Sequence, residues 1–189
     1  MIYPGRFSVT SPFGMRVLNG KQENHKGIDV VGLDDKHVCA VRGGVVGASQ
    51  IITDKSNRTW EWGNYVRIDG DDGMYYYYCH LAARLVSVGQ RVNRGDHIGI
   101  EGNTGSVSPM PENGNDKTSG RHCHFEVRNL SGWSVDPAPF LDIPNAVGQY
   151  GVIWREKVQE RFGLSDSTMA FLDTHPFPAD LYRKLGMSE

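Results

Sequence analysis

Cysteine is scarce, with three residues (Cys39, Cys79, Cys123) in a chain of 189 and no C-x-x-C pair among them. That excludes a disulfide framework and a cysteine-built zinc or redox knuckle, and it predicts free, buried thiols. No apolar run approaches the roughly 18 residues of a membrane span, so no spanning segment is expected. The first residues, Met1-Ile2-Tyr3-Pro4-Gly5-Arg6, lack a charged start followed by an apolar stretch, so they do not read as an export signal. Lys/Arg-rich stretches are also missing, and the formal charge is −2 with His neutral. A nucleic-acid partner, whose affinity would rest on a basic face, is therefore not expected. There is no internal repeat, and no H-E-x-x-H helix motif.

Hydrophobic residues make up 39% of the chain and charged ones 22%, enough for a packed core, and the 23 glycines suggest many tight turns. From Phe7 to about Ile143 short apolar and aromatic runs alternate with Gly, Asn and Asp clusters, the pattern of strands and turns. The clearest hairpin joins Asn64–Ile68 to Met74–Leu81 through Asp69-Gly70-Asp71-Asp72-Gly73. Its second arm carries four consecutive tyrosines, residues that favour strands. Residues 106–120, rich in Ser, Pro, Asn, Gly and Asp, read as a surface loop. After Pro144 the pattern turns helical: Trp154 to Phe162, a second short helix starting near Ser165 and running through Leu172, and a third from Pro178 to Leu185. The expected division is 1–143 for the β domain and 144–189 for a small helical appendage, too short to bury much of a core alone.

Three separated segments hold the chemistry. His25-Lys26-Gly27-Ile28-Asp29 is an H-x-x-x-D spacing. In a regular strand those two side chains would stand roughly 13 Å apart, too far for one metal, but Gly27 permits a bend. His122 and His124 flank Cys123, and alternate strand residues point the same way, about 6.5–7 Å apart. His80 follows the tyrosine run. Each segment alone also fits an ordinary surface or structural histidine. Together, two His and one Asp would give three protein ligands and leave a fourth zinc position open, the mark of a catalytic rather than a structural site. Two further histidines then remain for proton transfer and oxyanion stabilisation.

An ordered set of motifs resembles the lysostaphin-type, or LytM-like, zinc endopeptidases over most of residues 7–143. Ser11-Pro12-Phe13-Gly14-Met15-Arg16 is similar to S-x-F-G-x-R, and His25–Asp29 to H-x-G-x-D. Tyr78-Cys79-His80-Leu81 is similar to Y-x-H-L, and Val92–Gly99 to V-x-x-G-x-x-I-G. Gly102–Gly105 resembles G-x-T-G, Ser119–Arg128 resembles S-x-G-x-H-x-H-F-E-x-R less one spacer, and Val135-Asp136-Pro137 resembles V-D-P. The resemblance implies a compact, mainly β, antiparallel sheet or barrel-like sandwich with its site in a groove. It further implies zinc (Zn2+) bound by His25, Asp29 and His124, with His80 and His122 as the catalytic pair. The implied substrate is bacterial peptidoglycan, cut at the stem cross-link or cross-bridge, with action at the cell wall. Without a leader in this chain, release by a phage or prophage, or origin as a fragment of a longer exported protein, would explain the route. The rival within the same fold is a non-catalytic wall- or partner-binding relative, and the helical tail would suit a protein partner. All five polar positions are filled, which favours an enzyme.

Two departures stand out. Val107 to Thr118 intervene where the family passes almost directly from G-x-T-G to the paired histidines, so one groove wall is expected to differ. Cys79 and Cys123 each precede a histidine of the set, and both are expected to point away from the site into the core. Among the remaining residues, His37, His97 and His175 have no partner spacing and read as surface or structural. Trp60-Glu61-Trp62 either walls a groove or anchors a loop. Asp69, Asp71 and Asp72 lack the twelve-residue calcium pattern and read as a hairpin turn. Arg16 either faces the groove or pairs structurally.

Overall fold

The computed structural model describes residues 1–18, 20–51, 60–109, 118–148, 150–151 and 154–173. Met1–Gly151 form one compact unit, and the helices described below belong to a second. In chain order the first unit contains β1 (Phe7–Ser11), β2 (Gly14–Leu18), β3 (Lys21–His25), β4 (Ile28–Gly32), β5 (His37–Cys39), β6 (Gly44–Ile51) and β7 (Asn64–Gly70). It continues with β8 (Tyr75–Cys79), β9 (Ala83–Arg84), β10 (Arg91–Val92), β11 (His97–Ile100), β12 (Cys123–Arg128), β13 (Ser134–Val135) and β14 (Tyr150–Gly151). The fold is mainly β, and every pairing between these strands is antiparallel.

A nine-stranded sheet runs β10-β6-β7-β8-β12-β4-β1-β14, with β13 on β12; β5-β11-β9 form a second sheet and β2-β3 a separate hairpin. The expected tyrosine hairpin is β7–β8, with Val66 opposite Tyr78 and Ile68 opposite Tyr76. Its turn aspartates have protein partners: Arg67 binds Asp69, and Arg91 grips Asp71 through two nitrogens. Tyr76 Oη donates to Asp72. These partners support the plain turn reading.

Strand alternation separates core from site. On β12, Cys123, Phe125 and Val127 enter the main core, which also takes Ile28 and Val30 of β4 and Tyr76 and Tyr78 of β8. The intervening residues, Asp29 of β4 and His124 and Glu126 of β12, occupy the opposite face. They are polar yet buried, and all three line one groove. Burying such groups without partners would be costly, so their hydrogen bonds are the central question there. Elsewhere in the unit, Glu101 is fully buried: Tyr3 Oη donates to it at 2.6 Å, Gly32 N at 2.8 Å, and Lys36 Nζ lies 3.1 Å away.

The second unit contains α1 (Trp154–Phe162) and α2 (Asp166–Asp173), at the expected places. Ser165 Oγ accepts from Thr168 N at 3.2 Å, the N-cap bond that the sequence predicts for α2. Val158 and Met169 are both fully buried, with Leu164 and Leu172 against them, whereas Phe162 is exposed. The helix expected at 178–185 lies outside the described residues. No helix among the described residues is long and apolar enough to cross a membrane.

Candidate functional site

β4, β12 and β8 are sheet neighbours, and their registers bring the candidate residues together. Asp29 lies directly opposite His124, which in turn lies opposite Cys79 at the end of β8. Facing residues on adjacent strands share a face, so the Asp29 and His124 side chains meet. His25 closes β3 just before the chain bends at Lys26-Gly27 into β4. The bend needs glycine because of close approach: a Cβ on Gly27 would sit 2.5 Å from the Phe125 carbonyl oxygen and 2.8 Å from the His124 ring.

The result is a tight triad of donor atoms. His25 Nε2 is 3.0 Å from His124 Nδ1 and 3.2 Å from Asp29 Oδ1, and His124 Nδ1 is 2.8 Å from the same oxygen. Among the described residues this is the cluster of His, Cys, Asp and Glu side chains compact enough to hold a metal ion. The outer nitrogen of each ring is already engaged. His25 Nδ1–H donates to the Pro12 carbonyl at 2.7 Å, and His124 Nε2–H donates to Glu126 Oε1 at 3.0 Å. With those protons placed, the neutral rings aim two lone pairs and a carboxylate oxygen at one another. Such a concentration of acceptors requires a proton or a cation, and two imidazoles plus one carboxylate suit zinc.

His80 and His122 complete the floor of the groove. Their ring centroids are 4.7 Å apart, and His80 lies 5.8 Å from His124. Each is tethered through Nδ1–H to a backbone carbonyl, His80 to Thr104 at 2.8 Å and His122 to Gly120 at 2.7 Å, which leaves Nε2 available. His122 Nε2 stands 3.5 Å from Asp29 Oδ1.

His124 differs electrostatically from His80 and His122. Burial pushes the His124 pKa down, but hydrogen bonds to Asp29 and Glu126 outweigh it and raise the value to about 9. Burial works against ionisation of Asp29 too, yet its bonds to His124 and His25 hold its carboxyl well below the usual range. His80 goes the other way: burial, then the neighbouring His122 and His124, lower it to about 3. Burial likewise lowers His122, partly opposed by Asp29.

Strand alternation does not carry His80 into the groove. Its φ of 62° puts it in the left-handed region, and its amide donates to the Trp62 carbonyl at 2.8 Å. This corrects the expectation for Cys79. All three cysteines are free and buried, and Cys123 does point into the main core. Cys79 instead packs with Ala48 and Tyr65 under Trp62 and Tyr77, on the same sheet face as its register partner His124. Regular alternation would have placed Cys79 and His80 on opposite faces; the left-handed turn brings both to one side.

The groove has a volume of about 870 Å³. One wall comes from the β2–β3 hairpin through Val17, Leu18 and Glu23, the other from Trp62 and Ser106–Ser108. Trp62 is both wall and anchor, packing edge-on against Tyr65 at 5.2 Å and tilted on Tyr77 at 5.1 Å. Val107 and Ser108 fall at the start of the inserted loop, whose residues 110–117 lie outside the described set. Arg16 resolves in both senses: it lines the groove and its Nη1 donates to Asp29 Oδ2 at 3.1 Å, while Nε donates to Glu23 at 2.7 Å. His37 and His97 stack on each other at 4.7 Å, with His37 on Asp35. His175 lies outside the described residues. Sequence reasoning assigned no role to Glu126, although its spacing of two from His124 on a strand placed it on the same face.

The family model of peptidase family M23 matches residues 23–137, which spans all five of these positions. The chain belongs to peptidase family M23. Over 121 residues it is 34% identical to the peptidoglycan DD-endopeptidase ShyC of Vibrio cholerae, an alignment covering 62% of this chain and 24% of that protein. The chain therefore spans about a quarter of that relative's length. The solved structure of LytU is similar with a TM-score of 0.56 and 28% identity, covering 75% of this chain and 88% of that one. A zinc-containing peptidase from Vibrio cholerae gives a TM-score of 0.55 at 27% identity, covering 71% of this chain and 37% of that one.

Proposed function

We propose that this M23 chain is a zinc-dependent endopeptidase that hydrolyses peptide bonds of bacterial peptidoglycan, at the stem cross-link or the cross-bridge, and acts at the cell wall. The activity is assigned to the β domain, 1–143 by sequence, with 144–189 as an appendage. One observation carries the reading: three acceptor atoms of His25, Asp29 and His124 converge within hydrogen-bond distance at the floor of an open groove. The relationship to ShyC supports the substrate class.

His25, Asp29 and His124 would hold the ion. When bound, zinc supplies Lewis acidity, lowering the pKa of water toward about 7 and polarising the scissile carbonyl. The chain's own residues do the rest. Pro12 and Glu126 fix the two ligand rings, and Arg16 holds the second oxygen of Asp29 so that Oδ1 faces the triad. One of His80 and His122, both neutral and with Nε2 available, accepts one proton of the attacking water. The imidazolium so formed hydrogen-bonds to the developing oxyanion and then gives that one proton to the leaving amine. His122, close to the Asp29 carboxylate, is the better placed of the two to carry that positive charge. The groove, about 870 Å³, is lined by all five residues and has room for a peptide segment.

Digestion of purified peptidoglycans of several cross-link types, with mass analysis of the released ends, tests both activity and bond. Release of new peptide termini that stops with a chelator and returns with zinc is the expected result. Intact peptidoglycan from every type, with zinc bound to the protein, would instead favour the non-catalytic relative.

A further inference from the structure

We infer that Glu126 is a positioning residue for the metal centre, locked by Arg128 and, through it, by the aromatic wall of the groove. The inference rests on the zinc reading above and deepens it. Glu126 is 2% exposed and its two oxygens have separate tasks. Oε1 accepts His124 Nε2–H at 3.0 Å, while Oε2 accepts Arg128 Nε–H at 2.7 Å, with Arg128 Nη2 at 2.5 Å. A carboxylate cannot rotate to free one oxygen without breaking the bond to the other. His124 is thereby held as the tautomer whose proton sits on Nε2 and whose Nδ1 faces His25 and Asp29.

Arg128 is itself fixed. Its guanidinium carbon lies 4.9 Å from the Tyr77 ring centroid and 5.2 Å from that of Trp62. Stacking on two rings holds the planar fork in one orientation, which a lysine at the same position could not reproduce. The chain of contacts runs Trp62 and Tyr77, Arg128, Glu126, His124. Trp62 also lines the groove, so the wall next to the substrate path and the aim of one ligand ring share a single support.

The test is zinc affinity by chelator competition, together with proton NMR of the His124 Nε2–H in the zinc-loaded full chain. In the wild type that proton should exchange slowly. Glu126→Gln keeps the size but loses the charge and the Arg128 pair, and should weaken zinc about 10- to 100-fold and speed the exchange. Arg128→Lys leaves Glu126 in place and should give the same changes to a smaller degree. Melting of the metal-free variants checks that they fold, and Arg128→Lys serves if Glu126→Gln does not. Wild-type zinc affinity and slow exchange in both variants would overturn the inference while leaving the zinc reading intact. A wild type that takes up no zinc would overturn both.

Discussion

Two pairs of histidines share one groove floor, and His124 of one is shifted in the opposite direction to His80 and His122 of the other. His25 and His124 lie with Asp29, and Glu126 backs His124; His80 and His122 are tethered to the carbonyls of Thr104 and Gly120. A carboxylate partner lifts His124 to about 9, while burial near other imidazoles drops His80 to about 3. The same side chain thus favours its charged form at position 124 and its neutral form at position 80. Both rings are buried, so the difference comes from the carboxylates of Asp29 and Glu126 hydrogen-bonded to His124, which favour positive charge far more than the backbone carbonyl bonded to His80 does.

The largest effect should come from the carboxylate side. Replacing His25, Asp29 or His124 with Ala is expected to remove stoichiometric zinc, read by elemental analysis of the dialysed protein. Full zinc in His124→Ala would break the division between the two pairs. On the other side, His80→Asn or His122→Ala should leave zinc bound while hydrolysis falls roughly 10²-fold or more, the scale of a lost acid-base or oxyanion group. Asn is chosen at position 80 because it tolerates the left-handed backbone found there.

Changing pH separates His124 from His80 by sign. His124 must lose its ring proton to bind metal, and it holds that proton up to about pH 9. Zinc affinity should therefore rise with pH by roughly tenfold per unit between 7 and 9, measured by competition with a chelator of known pH dependence. In the metal-free protein this raised pKa stabilises the fold fully below about 6.5 and is lost as pH climbs through about 9. His80 acts oppositely: its lowered pKa makes stability fall as pH drops from about 6.5 toward about 3. Thermal melts of metal-free His124→Gln and His80→Asn should each flatten one limb of the curve.

The smallest effect sharpens a second contrast, between the cysteines. Cys79 under the groove wall and Cys123 in the main core should both resist thiol reagents in the native chain, since burial holds both thiols well above their usual pKa. Truncating the wall with Trp62→Ala should expose Cys79 alone to modification. Equal labelling of both would contradict their placement on opposite faces.

Much of the site could be read from the residues themselves. The order of His25, Asp29, His80, His122 and His124 matched a family pattern, and Gly27 marked the bend that lets the first two meet. The β7–β8 hairpin and the two described helices followed from turn residues and periodicity. Cys79 was misplaced because the reading carried strand alternation through a residue that turns out to be left-handed. Nothing in the local sequence forces a histidine to adopt φ of 62°; the surrounding contacts with Trp62 and Thr104 do.

The amino-acid order determined which donor groups exist, and from their number came the expectation of three ligands with a fourth position open. Tertiary structure decided how each is used. His25 and His124 are 99 positions apart, and their rings meet at 3.0 Å only because β4 and β12 pair. Which nitrogen of each ring offers its lone pair depends on Pro12, Glu126, Thr104 and Gly120. Those are through-space partners, and protonation responds to distance and burial, quantities that spacing along a chain does not contain.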